Sequence, residues 1–123
     1  MYNEKVMSIF ANPKNVGAIE NANAIGTVGN PSCGDIMKLY LLIKDGKIED
    51  AKFETFGCAA AIVSSSVATE MIKGKTVEEA LNLNNKDIIE ELGGLPAQKI
   101  HCSVLAKEAI EEAIKYYNEH NKN

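Results

Sequence analysis

The alternation of apolar and polar side chains outlines the fold. From Ile36 to Lys44, Met37, Leu39, Leu41 and Ile43 share one face, while Lys38, Tyr40 and Lys44 fall largely on the other. A period of two is that of a strand with one buried face. Asp45-Gly46 follows, a pair suited to the two positive φ values of a type I′ turn, and Lys47 to Phe56 alternates again with Ala51, Phe53 and Thr55 on one side. The two runs are expected to pair as an antiparallel hairpin. Ala24 to Val28 is a weaker candidate for a further short strand.

Beyond Gly57 the period changes. Ala59 to Ile72, rich in Ala and carrying Ser64-Ser65-Ser66, reads as a small-residue helix able to lie close on a sheet, with Gly74 as its C-terminal cap. Thr76 and Glu79 have capping-box spacing for a short helix through Leu81, and Lys86 to Leu92 reads as another, ended by Gly93-Gly94. The last helix is expected from about Ser103 to Tyr117, with Ala106, Ala109, Ile110, Ala113, Ile114 and Tyr117 on one face. At the opposite end, Val6, Met7 and Phe10 suit one or two turns over Asn3 to Phe10, stopped before Asn12-Pro13. The chain thus reads as one domain, 1–123, with residues 1–12 as a mobile N-terminal segment and 118–123 as a polar tail that frays.

Composition narrows the function more than the fold. With 123 residues and 46% hydrophobic content, one core can hold the chain without disulfides. The net charge is −4, every basic residue is Lys, and the lysines are scattered from Lys5 to Lys122, which argues against nucleic acid as a partner. No apolar stretch of membrane-spanning length and no secretory leader is visible, so no membrane association is expected and the expected compartment is cytoplasmic.

Cysteines carry the candidate chemistry. Cys33, Cys58 and Cys102 are odd in number, widely spaced and in no CxxC pair. In a reducing compartment such thiols are reduced, catalytic or metal-bound. Each falls at a predicted junction: Cys33 in the turn before the main strand, Cys58 between strand and helix, Cys102 at the start of the last helix. Helix N-termini favour thiolates through their partial positive charge. Any single cysteine reads equally well as a small core filler, but three at element ends do not. Asp35 follows Cys33 with only Gly34 between and could turn a carboxylate to the same point, although alone it reads as a turn residue; His101 adjoins Cys102 as a candidate ligand or acid-base group. Three thiolates plus His or Asp suit zinc or an iron-sulfur cluster and are too sulfur-rich for magnesium or calcium.

In order, Asn30-Pro31-Ser32-Cys33-Gly34-Asp35-Ile36-Met37, Thr55-Phe56-Gly57-Cys58-Ala59-Ala60 with its serine run, and Leu95-Pro96-Ala97-Gln98-Lys99-Ile100-His101-Cys102-Ser103 resemble the three cysteine motifs of the IscU and NifU N-terminal iron-sulfur cluster scaffolds. Tyr2-Asn3-Glu4-Lys5-Val6 and Asn12-Pro13-Lys14-Asn15-Val16-Gly17 resemble that family's opening, so the likeness covers nearly the whole chain. The resemblance implies an α+β fold, a small, mostly antiparallel three-stranded sheet with helices packed on one face. It implies a scaffold rather than a turnover enzyme: a cysteine desulfurase delivers sulfur as persulfide, iron is supplied, and a transient [2Fe-2S] cluster is built and passed to apoproteins. Carried over by position, Cys33, Cys58 and Cys102 are ligands and sulfur acceptors, Asp35 and His101 are candidates for the fourth position, and Lys99 is placed to neutralise the anionic site. Zinc can occupy the same donors in the cluster-free form, and the chain is expected as a monomer or a weak, cluster-bridged homo-oligomer. Ala97 and Gln98 stand where scaffolds served by a dedicated Hsp70 resemble Pro and Val, so recognition by that chaperone is expected to be weak. The alternative reading is a zinc-bound sulfurtransferase of the SufU type, although no insertion of the SufU kind separates Cys58 from Cys102.

Overall fold

The structure, a computed structural model, describes residues 3–30, 34–95 and 105–120. Three strands, β1 (Ala24–Asn30), β2 (Asp35–Lys44) and β3 (Lys47–Phe56), form an antiparallel sheet in the order β1-β2-β3. Five helices accompany it among the described residues: α1 (Glu4–Ala11), α2 (Ala59–Ile72), α3 (Val77–Leu81), α4 (Asn85–Glu91) and α5 (Ala106–His120). The fold is α+β, as the sequence implies.

The hairpin forms where the alternation places it. Asp45 and Gly46 have φ of 54° and 75°, the pair of positive values that lets a two-residue turn follow the sheet's twist. Met37, Leu39, Leu41 and Ile43 are buried on one face together with Ala51 and Phe53 of β3. Onto that face α2 packs against β3, while α5 lies across β1 and β2. Gly26 allows α5 to come close, since a Cβ there would lie 2.5 Å from the backbone nitrogen of Ala113 and 2.7 Å from the carbonyl oxygen of Ala109. Tyr40 points to the opposite face yet is also buried; it donates a hydrogen bond to Glu54 Oε1, and Lys38 Nζ stands 5.3 Å from its ring centre. Length and a hydrogen-bonding tip, rather than the alternation, decide its burial.

Helix α2 is buried almost throughout, and its hydroxyl groups are spent on the fold. Ser66 Oγ donates to the Lys14 carbonyl at 3.0 Å and accepts from the Lys14 N–H at 2.9 Å, while Thr69 Oγ1 accepts from Asn15 Nδ2 at 3.1 Å. These bonds draw residues 14–17 along the outer edge of β3, where Phe53 N–H donates to Asn15 and Gly17 N–H to Phe53, both at 2.8 Å. At the other end of that edge Ile48 exchanges two backbone bonds with Gly74 and Lys75. The edge of β3 is thus covered rather than left open for another strand.

Differences from the sequence-based expectation lie at element ends. β1 runs two residues past Val28, and β2 begins at Asp35 rather than Ile36, because Asn30 and Asp35 are themselves paired. The helix expected from Asn3 to Phe10 forms and differs only at its end, running Glu4–Ala11 with Asn3 as its cap; Val6 is fully buried and Asn3 Nδ2 donates to the Leu92 carbonyl at 2.9 Å. α5 continues three residues beyond Tyr117 to His120, whose ring stacks on Tyr116 at 4.0 Å and makes a 2.9 Å contact with the Tyr116 carbonyl. The described part of the same helix begins at Ala106 after a non-helical Leu105, later than the start near Ser103 expected from the sequence; Cys102, expected at that start, lies outside the described residues. Its apolar stripe is continuous from Ala106 onward, and nothing in that stripe marks where helical backbone starts.

Candidate metal centre

The described part of the site is a corner where the sheet hands the chain to its central helix. Ile36 pairs with Phe56, so Asp35, one residue earlier on β2, comes to the end of β3 where Gly57 and Cys58 follow. Cys58 is the N-cap residue of α2, with extended φ and ψ of −81° and 178°; its carbonyl accepts from Ala61 N–H at 3.0 Å and Ile62 N–H at 3.3 Å. Its half-buried thiol is therefore held at the partially positive end of a fourteen-residue helix, which favours electron-rich sulfur. The strand-to-helix junction expected for Cys58 is met.

Asp35 is not the exposed turn residue that its local sequence suggests. It is the first residue of β2 and 5% exposed. Its carboxylate lies over Gly57: a Cβ built on that glycine would clash with Asp35 Oδ1 and fall 3.1 Å from Asp35 Cγ and 2.9 Å from Ala61 Cβ. The carboxylate thus packs on the glycine that immediately precedes Cys58. Sequence reasoning singled out both acidic and sulfur residues but gave Gly57 no part; a glycine at a strand end is a signal for close approach, though what approaches is a tertiary matter.

Outward from this corner the cross-strand pair Ile36 and Phe56 leaves an apolar rim on the helix-free face, with Phe56 79% exposed. Cys33, Lys99, His101 and Cys102 lie outside the described residues, as does the loop sequence around each. Among the described residues no group of three metal-ligating side chains gathers, and no helix is long and apolar enough to cross a membrane.

Known proteins share both the sequence and this architecture. An iron-sulfur cluster assembly scaffold protein IscU of Archaeoglobus fulgidus is 60% identical over 117 residues, covering 95% of this chain and 76% of its own. The IscU scaffold protein of Aquifex aeolicus is 55% identical over 94% of this chain and 75% of its own. Nitrogen fixation protein NifU of Azotobacter chroococcum is 51% identical over 94% of this chain, which spans only 38% of that longer protein. Among solved structures, a protein described as an iron-sulfur cluster assembly scaffold for the SUF system, from Fervidobacterium islandicum, superposes with a TM-score of 0.77 at 32% identity, covering 92% of this chain and 96% of that one. With residues 1–123 matched from end to end, the chain belongs to the family of NifU-like N-terminal domains.

Proposed function

We propose that this protein is an iron-sulfur cluster assembly scaffold, which accepts sulfur from a cysteine desulfurase, binds iron, builds a transient [2Fe-2S] cluster and transfers it to apoproteins. The observation that carries the reading is the buried Asp35 carboxylate packed on Gly57, the residue next to Cys58 at the N-terminus of α2. The names of the IscU relatives support it. In this reading Cys33, Cys58 and Cys102 hold iron and receive sulfur, Asp35 or His101 completes the set, and Lys99 offsets negative charge. The protein carries a cargo and catalyses no turnover of its own. A carboxylate is a harder ligand than thiolate and exchanges more readily at a sulfur-rich iron site, so one Asp among three Cys supplies the weak point through which a cluster leaves.

Zinc suits the same donors, because three sulfurs with one oxygen or nitrogen accept a tetrahedral ion. Zinc is expected to compete with cluster assembly in titration; independent binding of the two would contradict a shared site. Affinity for a dedicated Hsp70 is expected to be weak, and tight binding that depends on residues 95–99 would contradict that part of the reading. The structural likeness to a SUF-system protein favours one second reading, a zinc-bound sulfurtransferase using the same thiols. Anaerobic reconstitution with iron and sulfide separates the two. The scaffold develops visible sulfur-to-iron charge-transfer absorption, whereas a sulfurtransferase stays colourless, retains zinc and accepts persulfide.

A further inference from the structure

Two glycines of this chain lie under close contacts, and for different reasons. At Gly26 the obstacle to a side chain is the backbone of α5. At Gly57 the obstacles are side chains: Asp35 Oδ1 first, then Ala61 Cβ at 2.9 Å and Asp35 Cγ at 3.1 Å. Nor does backbone conformation demand glycine at 57, whose φ is not among the chain's positive values. The backbone of Asp35 is fixed by its pairing with Asn30 and by the adjoining Ile36–Phe56 pair. A methyl group at position 57 would therefore press on the carboxylate, which can turn out of the space it occupies, and on Ala61 Cβ, which α2 holds in place.

We propose that Gly57 is a positioning residue for Asp35: the side chain missing at 57 is the seat in which the buried carboxylate rests, one residue before Cys58. A strand end and a helix start meet here with Asp35 filling the gap, so the aspartate reaches the site from within the fold rather than from its surface. The role of that placement in cluster release rests on the scaffold reading above; the placement itself does not.

The test uses the full chain as wild type, Gly57→Ala, Asp35→Ala and the double variant. In the metal-free protein, carbon-detected NMR at one fixed pH reads the side-chain carboxyl of Asp35 beside those of Asp45, Asp50 and Asp87. Gly57→Ala is expected to move the Asp35 resonance and leave the other three in place. After anaerobic reconstitution with iron and sulfide, Gly57→Ala is expected to lengthen cluster lifetime severalfold, in the same direction as Asp35→Ala, and to add nothing in the Asp35→Ala background. An unmoved Asp35 resonance, or an equal effect of Gly57→Ala with and without Asp35, overturns the proposal. Should Gly57→Ala fail to fold, the double variant, with the carboxylate removed, is expected to fold; its failure too would assign Gly57 to packing against Ala61 and overturn the proposal. A wild type that assembles no cluster would instead sink the scaffold reading, with the Asp35 resonance still deciding the role of Gly57.

Discussion

Burying a carboxylate costs free energy that an exposed aspartate avoids, and Asp35 is where this chain accepts that cost. Asp35→Ala is expected to make an assembled [2Fe-2S] cluster longer-lived and its delivery slower, since the remaining ligands are softer and one negative charge is gone. The decay of cluster absorbance and the rate of transfer to an apo-ferredoxin check this; equal values in both proteins would leave Asp35 a structural residue. Its burial also removes it from the surface sites where substitutions change stability by within about 0.5 kcal/mol. Tyr40 gives a second prediction at this scale. The hydrogen bond to the Glu54 carboxylate, then burial, raise its phenol above the usual value near 10, with Lys38 opposing more weakly. The folded state therefore holds the phenolic proton more tightly than the unfolded chain. That contribution to stability is complete below about pH 10 and is lost as pH rises through the folded value. Urea midpoints of wild type and Tyr40→Phe are expected to run parallel below pH 10 and to converge or cross above it; a constant difference at every pH would contradict the assignment.

Among the elements, those with a repeating pattern were legible and those defined by a neighbour were not. The β2–β3 hairpin could be read from Met37 to Thr55 because alternation and the Asp45-Gly46 turn are both local properties. The capping box at Thr76 and Glu79 was equally local, with Glu79 N–H donating to Thr76 Oγ1 at 3.1 Å and Thr76 N–H to Glu79 Oε1 at 2.9 Å. β1 offers no such pattern, for its glycines answer to α5 and to β2. Its entry is set by Asn23, whose side chain pairs with Ile43 as a strand backbone would, donating to the carbonyl at 2.7 Å and accepting from the N–H at 2.8 Å. That pairing falls where the β2–β3 register slips between Leu42 and Ile43. Gly26→Ala is expected to destabilise the fold by about 1–3 kcal/mol, because backbone of α5 cannot give way as a side-chain tip can. Asn23→Ala is expected to cost about 1–3 kcal/mol by stranding two backbone groups. Denaturant unfolding checks both, and midpoints equal to wild type would contradict these packing and pairing roles. At the candidate site, Cys58 was legible as a junction thiol, whereas the burial of Asp35 depends on the absent side chain of Gly57 and could emerge only from the assembled corner.

For the molecule as a whole, one face of a small sheet carries the helices while the ends of β2 and β3 and the start of α2 present a buried carboxylate and a half-buried thiol. The helices supply a stable backing, and the candidate site borders an edge where Phe56 and Ile36 keep an apolar rim open to solvent. This arrangement suits a cargo held briefly and released to another protein. The most direct measurement is therefore a handover experiment. The protein is mixed anaerobically with ferrous iron, a cysteine desulfurase, cysteine and a thiol reductant that supplies the electrons turning persulfide sulfur into cluster sulfide, and visible absorbance and circular dichroism are followed before and after adding an apo-ferredoxin. The account predicts that a [2Fe-2S] signal grows on this protein and then disappears from it as the ferredoxin signal appears in matching amount. A protein that takes up persulfide but stays colourless with zinc bound, or that builds a cluster the ferredoxin never receives, would contradict it.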